Sequence, residues 1–153
     1  MKLVRASANQ FQFQLGQREQ HFLLETLKLY PRVPSAHQPL SRSANLPDRE
    51  ANQHLLDEAL AEQRAENKQK LLAFLAKPQR FAENSAGVLL KLSPSELEWL
   101  LQVLNDIRVG SWLLLGSPEE KIDRLDETTS PHVWVMEMAG FFQMRLLEAW
   151  EKT

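Results

Sequence analysis

The stretch LSPSELEWLLQVLNDIR, residues Leu92–Arg108, carries the strongest structural signal in the chain. Ser93-Pro94-Ser95-Glu96 is a capping box with proline at the first helical position. The serine hydroxyl takes an orphan N–H of the first turn, and the glutamate returns to the serine N–H. A helix therefore starts here, and Gly110 predicts its end. Winding it at 100° per residue gathers Leu97, Leu100, Leu101, Val103, Leu104 and Ile107 on one side, with Glu98, Gln102 and Asp106 opposite and Asn105 at the boundary. Arg108 falls inside the apolar stripe, between Leu97 and Leu101. A guanidinium withdrawn from water needs a carboxylate or several carbonyls. Three readings of it stay open. Neighbouring groups such as Glu58, Glu137 or the last helical carbonyls satisfy it; it is kept to bind an anion; or the helix ends earlier.

Downstream, Trp112–Leu115 is apolar on all sides and predicts a buried segment. Upstream, Gly87–Leu92 reads as a strand with Val88, Leu90 and Leu92 on one face, and Phe11, Phe13 and Leu15 alternate with Gln12 and Gln14 in the same period. Lys2–Ala6 pairs with the latter through a turn at Ser7–Asn9. A helix follows from about Gln17 to Tyr30. Phe11–Leu27 and Val88–Leu104 share a strand–turn–helix plan at an offset of 77, with Leu15, Glu19, Leu23, Leu24 and Leu27 matching Leu92, Glu96, Leu100, Leu101 and Leu104. Any strand leading through a cap into a helix produces such a match; a true repeat predicts two similar units sharing one small sheet.

Prolines at 31, 34, 39 and 47 mark 31–46 as an irregular segment wrapping over the surface. Pro47 suits the first position of a helix capped by Asn45 or Leu46. That helix runs to Ala76, about 43 Å, where Pro78 stops it. Leu55, Leu56, Ala59, Leu60, Leu71 and Phe74 define its inner side, with Asn52, Gln63 and Asn67 in the same arc. Ser117-Pro118 opens a short element, and Ser130-Pro131 opens a last helix over about His132–Trp150, where Gly140 and Gln143 lie in line with Met136. Glycine inside a helix costs about 1 kcal/mol relative to alanine, which predicts another element crossing closely at Gly140. The expected fold is mainly α: one domain over 1–153, a helical bundle with a β-hairpin or three-stranded antiparallel sheet near the N-terminus.

The chain has 153 residues, net charge −2, 43% hydrophobic residues and no cysteine. A polyanion partner is not expected, since nucleic-acid binders usually carry a basic excess. Disulfides and thiolate metal sites are excluded. MKLVRASANQFQFQLG lacks an apolar run of signal-peptide length, and no stretch reaches ~18 consecutive apolar residues. A cytoplasmic protein away from membranes is expected. The histidines at 21, 37, 54 and 132 are scattered, and Glu50, His54 and Glu58 form a row facing away from the apolar side. There is no Gly-rich phosphate loop, no GxSxG and no HExxH. No catalytic residue, cofactor or metal is therefore assigned. Arg108, Asn105, Asp106, Asn52 and Gln143 are the candidate binding residues, because polar groups on inward-facing arcs either satisfy one another or line a pocket.

The run Leu97–Gly110, centred on Leu104-Asn105-Asp106-Ile107-Arg108, resembles a bacterial family of unknown function with a Leu-Asn-Asp-Leu-Arg motif followed by glycine. Trp134, Gly140 and Gln143 resemble that family's final helix, and Asn52 and Glu58 a weaker pattern in its long helix. The family has a Thr-Arg pair where this chain has Ser111-Trp112. The resemblance raises Asn105, Asp106, Arg108 and Gln143 as candidates without giving them a role. Some members carry a regulator label or are encoded near a proteolysis adaptor.

Three function classes follow: a non-enzymatic protein that binds another protein or itself; a small-molecule or anion-binding protein, or an enzyme, around Arg108; and a transcriptional regulator using Lys68, Lys70, Lys77 and Arg80. An exposed tryptophan would mark a binding face.

Overall fold

Burial of Phe11, Phe13 and Leu15 beside Val88, Leu90 and Leu92 makes one apolar sheet face, and that face organises the molecule. The computed structural model describes residues 1–34, 48–119, 122 and 125–152. Its elements are β1 (Lys2–Ser7), β2 (Gln10–Leu15), α1 (Gln17–Leu27), α2 (Arg49–Ala76), β3 (Phe81–Asn84), β4 (Gly87–Leu92), α3 (Pro94–Leu114) and α4 (Ser130–Trp150). The strands form one antiparallel sheet in the order β1-β2-β4-β3. Helices α1, α3 and α4 cover its apolar face, and α3 packs along α4.

The sheet is built from two hairpins, each running into a helix, joined through β2 and β4. Phe13 pairs with Leu90, Phe11 with Leu92 and Leu15 with Val88. Phe13 and Leu90 are equivalents in the 77-residue repeat, so a pseudo-two-fold axis passes between them. The two units therefore share one sheet. They also share a junction. The capping glutamate of each unit, Glu19 and Glu96, takes a hydrogen bond from the N–H that opens its helix, Gly16 or Ser93, each at 2.9 Å. Each then pairs with a cation from its own hairpin side, the Met1 amine or Arg80.

Several expectations are corrected. The sheet has four strands, because Phe81–Asn84 pairs with β4; helix remains dominant, but the architecture is two-layered, helices on one sheet face, and not a helical bundle. Helix α3 does not stop at Gly110 but continues to Leu114. Gly110 is there for close approach: an added Cβ would lie 2.5 Å from the Arg32 carbonyl carbon. The segment Trp112–Leu115 is not sealed, with Trp112 38% and Leu114 53% exposed. No helix opens at Ser117 among the described residues. The N-cap of α2 is Asp48, whose side chain accepts from the Ala51 N–H; Asn45, Leu46, Pro47 and most of 31–46 lie outside the described residues. Only Leu71 and Phe74 of α2 are fully buried, so the helix enters the core by its C-terminal turns while Leu55 stays exposed.

Candidate functional site

The buried arc of α3 is Leu97, Trp99, Leu100, Val103, Leu104, Ile107, Gly110 and Ser111. It extends past Val103 to Trp99, further round than the aliphatic residues alone suggest. Arg108 therefore sits on the far edge of the core, in the row Leu101, Asn105, Arg108 and Trp112. Its side chain is exposed. This corrects the expectation of a core-bound cation: the wheel gave the angle, and the position of the sheet moved the core's centre away from it.

Helix α4 is apolar on two opposite stripes. Val135, Ala139, Phe142, Leu146 and Ala149 are buried, while Val133, Met136, Gly140, Met144 and Leu147 form an outer stripe. Met144 is 49% and Leu147 50% exposed. Arg108 runs past Gly140, whose missing side chain leaves its Nε 3.6 Å from where a Cβ would sit. A groove of about 500 Å³ lies here, lined by Arg108, Met136, Glu137, Gly140, Phe141 and Met144. It continues past Asn105 and Gln143 toward Leu147 and Glu151, and in the other direction toward Trp112, Val133 and Leu125. Gln143 Nε2 reaches the Leu101 carbonyl at 3.4 Å and Asn105 Oδ1 at 3.5 Å, and its Oε1 is buried without a partner. Among the described residues, Arg108 and Glu137 have neither a hydrogen-bond nor an ion-pair partner.

Asp106 faces elsewhere. Its Oδ1 accepts the Arg32 N–H at 2.6 Å and the Val33 N–H at 3.3 Å, which clasps the segment after Pro31 onto α3 beside Gly110. It also borders a polar cleft of about 160 Å³ between α2 and α3, with Tyr30, Gln63, Arg64, Asn67 and Gln102. There Trp99 Nε1 donates to Asn67 Oδ1 at 3.3 Å, and Asn67 Nδ2 to the Tyr30 hydroxyl at 3.2 Å. Burial pushes the Tyr30 hydroxyl pKa up, with the Asp106 charge adding to it. Asn52, in the first turn of α2, lines neither place. The five candidates thus divide: Arg108, Asn105 and Gln143 share the α3–α4 groove, Asp106 is a clasp, and Asn52 stands apart.

The basic residues considered for DNA are largely engaged internally. Lys68 Nζ donates to the Tyr30 carbonyl at 2.8 Å, Lys70 Nζ lies 4.8 Å from the Trp99 ring centre, and Arg80 is 8% exposed. Arg80 Nη1 donates to Glu96 Oε2 at 2.8 Å and to the Lys91 carbonyl at 2.6 Å, Nη2 donates to Glu96 Oε1, and the guanidinium stacks 4.3 Å from the Phe74 ring centre. Burial alone would raise the Glu96 carboxyl, but the Arg80 bonds, the Ser93 N–H and the charges of Arg80 and Lys77 hold it below the ordinary carboxylate range.

Sequence reasoning missed Trp112, Met144 and Leu147 as groove residues; it set Met136 in line with Gly140 and Gln143 and named Glu137 only as a counter-ion for Arg108. The available signal was the second apolar stripe of α4, since a helix apolar on both faces needs cover on both. No family description, curated protein or solved structure matches the chain. No helix among the described residues is long and apolar enough to cross a membrane.

Proposed function

We propose that the protein is a non-enzymatic interaction protein whose binding face is the outer side of the α3–α4 pair, acting in the cytoplasm. Kinship with the Leu-Asn-Asp-Leu-Arg family is proposed on the motif alone. The observation that carries the function is the outer stripe of α4: Val133, Met136, Met144 and Leu147 continue an apolar surface with Trp112, yet stand at the protein's exterior. Contiguous apolar surface rimmed by charge marks an interaction site, and methionine supplies an adaptable contact surface. A photo-crosslinking residue placed at Met144 in expressing cells should capture protein, while one at exposed Glu83 on β3 should not. No capture at Met144, together with a monomer at high protein concentration, would end this reading.

A second reading keeps the same groove as an anion site. Its support is the exposed Arg108 guanidinium, which has no partner among the described residues and lies along the groove. Asn52 does not line this groove, so the reading rests on Arg108, Asn105 and Gln143.

A further inference from the structure

Resting on the reading of the α3–α4 face as a protein-binding surface, we propose that its occupant is a second copy of this chain. The copies pack face to face about a two-fold axis, and Arg108 of each meets the partner's Glu137. The charges select this occupant. The part of the groove around Gly140 holds one exposed cation and one exposed carboxylate, both without a partner among the described residues. A partner that offered only an acidic group would satisfy Arg108 and leave Glu137 covered by protein, unpaired or beside a like charge. Covering an unpaired charge is costly, and like charges across an interface oppose binding. A two-fold contact is reciprocal: if residue i meets j, then j meets i. One Arg108–Glu137 pairing therefore implies the second, and Arg108 and Glu137 of both copies are matched.

The spacing along α4 agrees. Arg108 lies at the level of Gly140, and Glu137 is three residues, about 4.5 Å, nearer the helix N-terminus. Crossing two α4 helices antiparallel, with the axis between Met138 and Ala139, sets the Gly140 level opposite the partner's Glu137. The same register sets Met144 opposite the partner's Val133, residues on the same side of α4. Trp112 borders Val133 and Met136, so it lies toward the partner's Met144. The register that pairs the charges thus also brings Met144 and Val133 together across the contact. The face from Val133 to Leu147 is about 21 Å long and about two helices wide. Two copies bury roughly 900 Å² together, the small end of specific interfaces, so the dimer is weak and concentration-dependent.

Sedimentation velocity tests it on the intact chain over about 10 μM to 1 mM, the range suited to an interface of this size. The wild type should pass from monomer to dimer. Arg108→Glu and Glu137→Arg should each weaken the dimer by about tenfold or more, since each alone faces like charges at two contacts. An equimolar mixture of the two variants should recover an affinity within about threefold of the wild type. In the mixed pair the introduced carboxylate faces the introduced guanidinium, and the native pair faces itself. Both residues are exposed, and unchanged thermal unfolding of each variant confirms that it folds. A wild type that stays monomeric throughout overturns the proposal, as does a dimer indifferent to the single reversals or a mixture that fails to recover. A monomer whose Met144 probe still captures another protein overturns the second copy while leaving the face a protein-binding surface.

Discussion

Two arginines divide the molecule into a sealed region and an open one. Arg80, between α2 and β3, is held by both Glu96 oxygens and the Lys91 carbonyl under Phe74. Arg108, on α3, passes over Gly140 into an open groove, with no partner among the described residues. The sequence points the other way: Arg108 falls within an apolar stripe, and Arg80 sits in a polar run after a proline. A wheel reports only the angle of a side chain on its own helix. Whether a cation is sealed depends on which other elements arrive. The sheet brings Glu96 and Lys91 to Arg80, while glycine at 140 leaves Arg108 a way out. The sealed cation holds the fold together, and the open one is free to meet something else.

The sharpest way to break this contrast is at Arg80. Arg80→Ala removes the guanidinium from a buried pair, leaving Glu96 with only the Ser93 N–H and the more distant Lys77 charge and the Lys91 carbonyl without its side-chain donor. Because Glu96 keeps some contact with water, the expected loss is about 3 kcal/mol, the low end for a broken buried pair, read as a lower urea midpoint. The loss should depend on pH in a defined sense. The Glu96 carboxyl is held below its usual range in the folded state. Its contribution is present above the unfolded-state value and disappears as pH falls through the folded value. The gap between wild type and Arg80→Ala should therefore close in acid. A gap that widens in acid, or an effect near that of a surface substitution, would remove the claim that this region is the sealed one.

A second contrast separates two glycines. At Gly110 an added Cβ would lie 2.5 Å from the Arg32 carbonyl carbon and 2.7 Å from its oxygen, both backbone atoms. Neither can yield without moving the segment that Asp106 holds. Gly110→Ala should cost about 2 kcal/mol, as overpacking of a close contact does. Asp106→Ala frees the Arg32 and Val33 N–H groups and should reduce that cost in the double variant, because neighbouring substitutions are not additive. Additive losses would show that the clasp and the close approach are independent.

Much of this fold is written in local patterns. The capping box at Ser93, the alternation over Phe11–Leu15 and Gly87–Leu92, and the 77-residue match all correspond to observed elements. β3 was missed because Phe81-Ala82-Glu83-Asn84 is too short to show a period. Yet β1 carried forward by 77 residues falls on 79–84, and the repeat extended to its first hairpin would have placed the fourth strand. Gly110 was misread as a stop because a glycine terminator and a glycine of close approach look alike without the crossing segment. The site was legible only in part. Arg108, Asn105 and Gln143 do gather, since their spacings on α3 and α4 keep them on facing flanks. Asp106, next to Asn105 in sequence, lies a hundred degrees round the helix and serves another neighbour. Glu137 was marked only as a counter-ion that would seal Arg108, and Met144 carried no local mark; only the whole circumference of α4 shows that it has more apolar surface than one core face uses.

The smallest effects sharpen the contrast from the open side. At Gly140 the nearest atoms to an added Cβ belong to the flexible Arg108 side chain, at 3.6 Å and beyond. Gly140→Ala should therefore stabilise the monomer by about 0.5–1 kcal/mol, the helix preference of alanine over glycine. Arg108→Ala should change monomer stability by less than about 0.5 kcal/mol, as a surface substitution does. Both are read by urea unfolding at a concentration low enough to keep the chain monomeric. The pairing of these outcomes matters more than either value. A glycine kept where alanine fits, beside an arginine that adds nothing to stability, describes a surface whose composition is not explained by the fold of one chain. If Arg108→Ala instead destabilises the monomer as much as Arg80→Ala does, the groove is part of the core's support, and the free cation no longer argues for a partner.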